Sequence, residues 1–64
     1  MFEIRYGERR NKFMRLKNIE TLERAKELSA IIEDFAIRHG YKFTIEVWEE
    51  FETDKYWIVQ SFTT

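Results

Sequence analysis

His39, Ser29, Ser61 and the glutamates of "VWEEFE" are the residues of this 64-residue chain whose types could support catalysis. His39 is the only histidine, and it falls on the apolar side of a helical stretch, one residue before Gly40. A partly buried structural role is expected there, not that of a base. With two serines and no cysteine, neither a Ser-His-Asp arrangement nor a thiolate nucleophile is suggested. Glu49 and Glu50 are adjacent, so on a strand they point to opposite faces. Glu46 and Glu50 share a face but stand four residues apart, too far to converge as a paired acid and base. Two glycines provide no phosphate-cradling loop, and one histidine without cysteine leaves structural zinc without ligands. The expectation is a non-enzymatic protein with no catalytic residue, metal or cofactor.

Binding chemistry is better represented. Eleven residues are aromatic, and Trp48 and Trp57 bracket an acidic run. The charge is bipolar although the net is only −1. Arg5, Arg9, Arg10, Lys12, Arg15 and Lys17 stand against Glu3 and Glu8 in the first quarter of the chain. Glu46, Glu49, Glu50, Glu52 and Asp54 stand against Lys55 in the last third. The basic stretch "YGERRNKFMRLK", with Tyr6 and Phe13 interleaved, could enter a nucleic-acid groove, with Arg9, Arg10 and Lys12 on phosphates. The acidic stretch would repel a nucleic-acid backbone running along the same sheet, and could itself dock on a basic protein or mimic DNA.

The elements that position these groups follow from periodicity. "FEIRYG" and "KFMRLK" alternate with period two, which predicts strands at about 2–7 and 12–17. An Arg9-Arg10-Asn11 loop between them sets Tyr6 opposite Met14 and Ile4 opposite Leu16. The period then becomes 3.6 over about 19–39, with Asn18 or Thr21 as N-cap and Gly40 at the C-terminal stop. Leu22, Ala25, Leu28, Ser29, Ile32, Phe35, Ala36 and His39 form its apolar face. Glu20–Arg24 and Asp34–Arg38 are favourable i,i+4 pairs. Strands are predicted again at about 41–51 and 55–63. A four-residue loop from Glu52 to Lys55 pairs Phe51 with Tyr56, Val47 with Gln60 and Ile45 with Phe62. A one-residue slip in that hairpin instead places Trp57 in the core and leaves Trp48 outside beside Tyr56 and Ile58. The fold class is α+β: ββαββ, a four-stranded antiparallel sheet in the order 2-1-3-4, with one amphipathic helix packed on one face.

On that reading residues 1–64 form a single domain whose second sheet face is uncovered. Arg5, Phe13, Arg15, Glu46, Trp48, Trp57 and Val59 fall on it, basic at one side, acidic and indole-bearing at the other. Trp and Arg dominate interface energetics. A two-fold axis would stack arginines of one copy on Trp48 of another, at about 0.5–2 kcal/mol each. A chain this short has little core and no disulfide, so a homodimer through the open face would supply the missing stability. No stretch approaches a membrane span or signal peptide, and the absent cysteines fit a reducing cytoplasm.

The runs "LKNIETLERAKEL" and "HGYKFTIEVWE" resemble small bacterial and phage accessory proteins, in which a strand precedes a Thr-Leu-Glu helix start, a glycine and a hairpin. The resemblance implies an accessory or host-modulating role and carries no site residues. The expectation is a protein-interaction module; the rival is a nucleic-acid-binding protein using the first hairpin.

Overall fold

Alternation, helical stripe and stop signals resolve into five elements in the computed structural model, which describes residues 1–8 and 12–64. They are β1 (Phe2–Glu8), β2 (Met14–Ile19), α1 (Leu22–His39), β3 (Phe43–Glu52) and β4 (Lys55–Thr63). The four strands form one antiparallel sheet in the order β2-β1-β3-β4, with α1 on one face. The expected Arg9-Arg10-Asn11 loop, and the phosphate contacts assigned to Arg9 and Arg10, lie outside the described residues.

The first hairpin keeps the predicted register, Ile4 opposite Leu16 and Tyr6 opposite Met14. The pairing then shifts, so that Phe2 meets Ile19, and Asn18 takes a left-handed conformation (φ 63°) in the bulge. Asparagine tolerates that region better than most residues. It is therefore a bulge residue, and the helix cap is Thr21, whose side chain accepts from the Arg24 N–H at 3.1 Å. Gly40, at φ 71°, stops the helix, and Tyr41 donates back to the Ala36 carbonyl at 2.8 Å. On the surface, Asp34–Arg38 forms at 3.0 Å, while Arg24 bonds Glu27 and not Glu20.

The second hairpin corrects both registers considered for it, because each is right over half its length. Near the helix, Ile45 pairs with Phe62 and Val47 with Gln60. Then Val59 is left over, and Trp48 pairs with Ile58, Glu49 with Trp57 and Glu50 with Tyr56. A second irregularity leaves Phe51 over, so Glu52 meets Lys55 across a two-residue turn in which Asp54 is left-handed (φ 70°). Phe51 thus does not pair with Tyr56. Each extra residue reverses which face the following side chains occupy.

The core is thin and narrow. Ala25, Ser29 and Ala36 form the contact line of α1, small enough to let the helix approach Ile4, Ile45 and Val47, all fully buried. The apolar face of α1 is narrower than its sequence suggests: Leu22, Leu28 and Ile32 are half-buried, and Phe35 and His39 are exposed. Geometry explains this. A helix about 10 Å across spans roughly two strands at ~4.8 Å spacing. Four strands are present, so the margins stay bare on the helix side too. The molecule is flat, 36 × 24 × 15 Å. Its 4913 Å² of accessible surface exceeds the roughly 4,450 Å² of a compact protein of 8.0 kDa.

Candidate functional site

On the open face the strands bring Glu3, Arg5, Arg15, Glu46 and Trp48 together, because Arg5 pairs with Arg15 on one side and Glu46 on the other, and Glu3 pairs with Trp48. Only Glu3 is buried, at 4% exposure. Arg15 grips its carboxylate with Nε at 2.7 Å and Nη2 at 3.1 Å, and Arg5 Nε donates to it at 2.6 Å. Burial pushes the Glu3 carboxyl up, but the hydrogen bonds from Arg15 and Arg5 and their charges outweigh it and hold it below its ordinary value. The Arg5 guanidinium lies 4.2 Å from the Trp48 ring centroid and 5.6 Å from that of Tyr56. Trp48 donates its indole N–H to Glu46 at 3.2 Å, and Tyr56 its hydroxyl to Glu50 at 3.1 Å. That last bond raises the Tyr56 pKa. The arginine–indole stack expected between two copies is therefore made within one chain.

Phe13 also belongs to this region. Its ring covers Gly7, where an added Cβ would lie 3.2 Å from Phe13 Cδ1. Lys12 is exposed beside it. Trp57 and Val59 do not join the set. Val59 is the bulge residue, and Trp57 lies on the helix side, donating to Glu49 at 3.1 Å and meeting Phe51 edge-on at 4.2 Å between centroids. β1 begins opposite Glu49, so Trp57 sits on the last row shared with β1 and Phe51 on the two-stranded ribbon beyond it.

A second surface lies on the helix side, at the β2 margin. Met14 stands beside Tyr6 and Leu16 beside Ile4, on the face that α1 covers only in part. Next to it, Tyr6 of β1, Phe43 of β3 and Ile31, Ile32 and Phe35 of α1 line a cleft of about 300 Å³. Met14 and Ile31 are each 61% exposed and Phe35 48%. An aromatic run continues from the cleft: Tyr6 to Phe43 at 5.9 Å, Phe43 stacked on Tyr41 at 5.3 Å, and Phe35 tilted against His39 at 4.4 Å. His39 is thus an exposed member of a ring cluster, not the half-buried residue expected. Sequence reasoning missed this surface. Its signal was Ile31, an apolar residue off the helical stripe.

Glu49 and Glu50 point to opposite faces, paired with Trp57 and Tyr56 respectively. Among the described residues no group of His, Asp or Glu side chains could hold a metal ion, and no helix is long and apolar enough to cross a membrane. No protein-family model, curated protein or solved structure matches this chain.

Proposed function

We propose that this chain is a non-enzymatic protein-interaction module whose contact surface is the β2 margin of the helix side. The observation that carries this reading is exposed apolar surface gathered around an open cleft. Met14, Leu16, Ile31 and Phe35 flank an open cleft, whereas the charged and aromatic groups of the open face are bonded to one another. Exposed apolar surface around a cleft, rimmed by charge, marks a contact site. A homodimer through the open face would gain nothing from arginine–indole stacking, since Arg5 and Arg15 would have to leave Glu3 and Trp48, and would rest instead on apolar contacts such as Ile58. A cytoplasmic, host-modulating role of the kind that the accessory-protein resemblance implies is compatible with this reading.

Nucleic-acid binding by the first hairpin is the second reading: Arg15 is held by Glu3, Lys12 and Lys17 are exposed, and Arg9 and Arg10 lie outside the described residues. The test is a photo-crosslinking amino acid placed at Ile31 or at Ser61, which pairs with Glu46 on the open face, in cells of the native host. An adduct with another polypeptide from position 31 and none from 61 is expected. A self-adduct from position 61 would restore the open-face dimer, and a nuclease-sensitive adduct would restore the rival.

A further inference from the structure

β2 closes one end of the sheet, and among the described residues nothing pairs with its outer edge. An unpaired edge is a template for another strand. On this edge side chains alternate in chemistry as well as direction. Met14 and Leu16 lie on the helix side beside the cleft; Arg15 and Lys17 lie on the open face. We infer that the module's partner is an extended polypeptide segment that adds to β2 as a fifth strand, with apolar residues alternating with acidic ones. The inference rests on the interaction-module reading and supplies the partner's chemistry.

The pattern follows from register. Residues of an added strand alternate between the two sheet faces. Those on the helix side would lie beside the exposed Met14 and Leu16, so they must be apolar. Those on the open face would meet Arg15 and Lys17. There Arg5 and Arg15 are already paired with Glu3, and Lys17, exposed and outside that ion pair, is the cation an added strand would meet, so acid is favoured opposite it. The same cations disfavour a second copy. A two-fold pairing of β2 with itself would set Arg15 and Lys17 of one chain against those of the other, and like charges directly opposite destabilise a strand pair. The bulge at Asn18 limits the regular edge to Met14–Lys17, which suits a short segment.

The probe is a short peptide alternating glutamate with valine and isoleucine, tested against the intact chain beside two controls: the same peptide with lysine for glutamate, and one of identical composition with the alternation scrambled. Expected are saturable binding of the first alone, slowed amide exchange confined to Met14–Lys17 and the amides of β1 behind them, and a loss of at least tenfold in affinity for Lys17→Glu. Lys17→Glu should also gain affinity for the lysine peptide. Ile31→Lys should weaken the acidic peptide with an unchanged melting temperature. Shifts at Ile31 and Phe35 without protection of β2 would overturn strand addition and leave the interaction surface standing. Equal binding of the scrambled peptide would overturn the register argument. No perturbation of cleft or edge by any peptide would sink both readings, and a concentration-dependent dimer protecting β2 would assign the edge to a second copy.

Discussion

On the open face, charged and aromatic side chains of β1, β2, β3 and β4 close on one another; at the β2 margin of the helix side, apolar ones do not. Polarity alone would rank these surfaces the other way. A face bearing Trp48, Arg5 and Arg15 looks like a binding face, and a face beneath an amphipathic helix looks covered. What separates them is satisfaction. Glu3 accepts three hydrogen bonds, Trp48 carries a guanidinium on its ring and gives its N–H to Glu46, and Tyr56 gives its hydroxyl to Glu50. Met14, Ile31 and Phe35 have no comparable cover. The need for a partner is set by what remains unpaired after folding.

The sharpest way to break the comparison is to show that the cleft, and not the thin core, holds the fold. Ile4 and Ile31 are both isoleucines on the helix side, one fully buried and one mostly exposed. Ile4→Ala should cost about 3 kcal/mol by loss of transfer energy and creation of a cavity. Urea unfolding followed by far-UV circular dichroism measures it, and a cost below ~1 kcal/mol would mean that the core is not where the buried residues put it.

Next in size is Glu3→Gln, which leaves two guanidiniums without their shared carboxylate and should cost about 2 kcal/mol. Acid titration gives the same contact a second signature. The folded carboxyl titrates below its ordinary value of 4.5, so the unfolded state binds more protons in that range. Its contribution is fully present above pH 4.5 and is lost as pH falls through the lower folded value. The wild-type stability curve should therefore show an acid-side loss that is shallower in Glu3→Gln. Parallel curves would mean that Glu3 is not ionised and held as described.

The open face was legible in part from sequence, and the reason lies in local rules. Period-two alternation fixed Ile4 against Leu16 and Tyr6 against Met14, and only one register kept Arg15 out of the apolar set. Gly40 marked the helix end because the left-handed position it occupies admits few other residues. The second hairpin had no comparable constraint. Both of its registers bury apolar side chains, since Trp57, Ile58 and Val59 are consecutive, and the chain uses both by inserting Val59 and Phe51 as extra residues. Alternation cannot reveal a bulge where every candidate residue is apolar. The cleft was hidden for another reason: it follows from the width of one helix against four strands, a relation between elements that no single segment carries. Glu3 was hidden too, since a glutamate on an alternating strand reads as solvated until two arginines converge on it.

Smaller, and opposite in sign, is the effect expected at Ser29. Its hydroxyl is buried on the contact line of α1 and has no hydrogen-bond partner. An orphaned polar group costs roughly 1–3 kcal/mol. Ser29→Ala removes the group with little change of volume in a helix, where alanine is also preferred. The variant should be more stable by about 1 kcal/mol. A destabilised variant would show that the hydroxyl has a role in the core that its lack of a partner conceals.

The smallest expected effect on stability is the one that sharpens the comparison most. Ile31→Lys replaces an exposed apolar side chain at the lip of the cleft, and exposed substitutions away from special features change stability by no more than about 0.5 kcal/mol. Lysine is also a good helix former, and its aliphatic stem can lie along the same surface while the ammonium stays in water. Ile31→Lys should thus unfold at the wild-type urea concentration, with the same dependence on denaturant. If isoleucine were retained at position 31 for the fold, this change would instead cost what other core truncations cost. An unaltered midpoint beside the large loss in Ile4→Ala would place the two isoleucines in different roles, one inside the molecule's own core and one available to another chain.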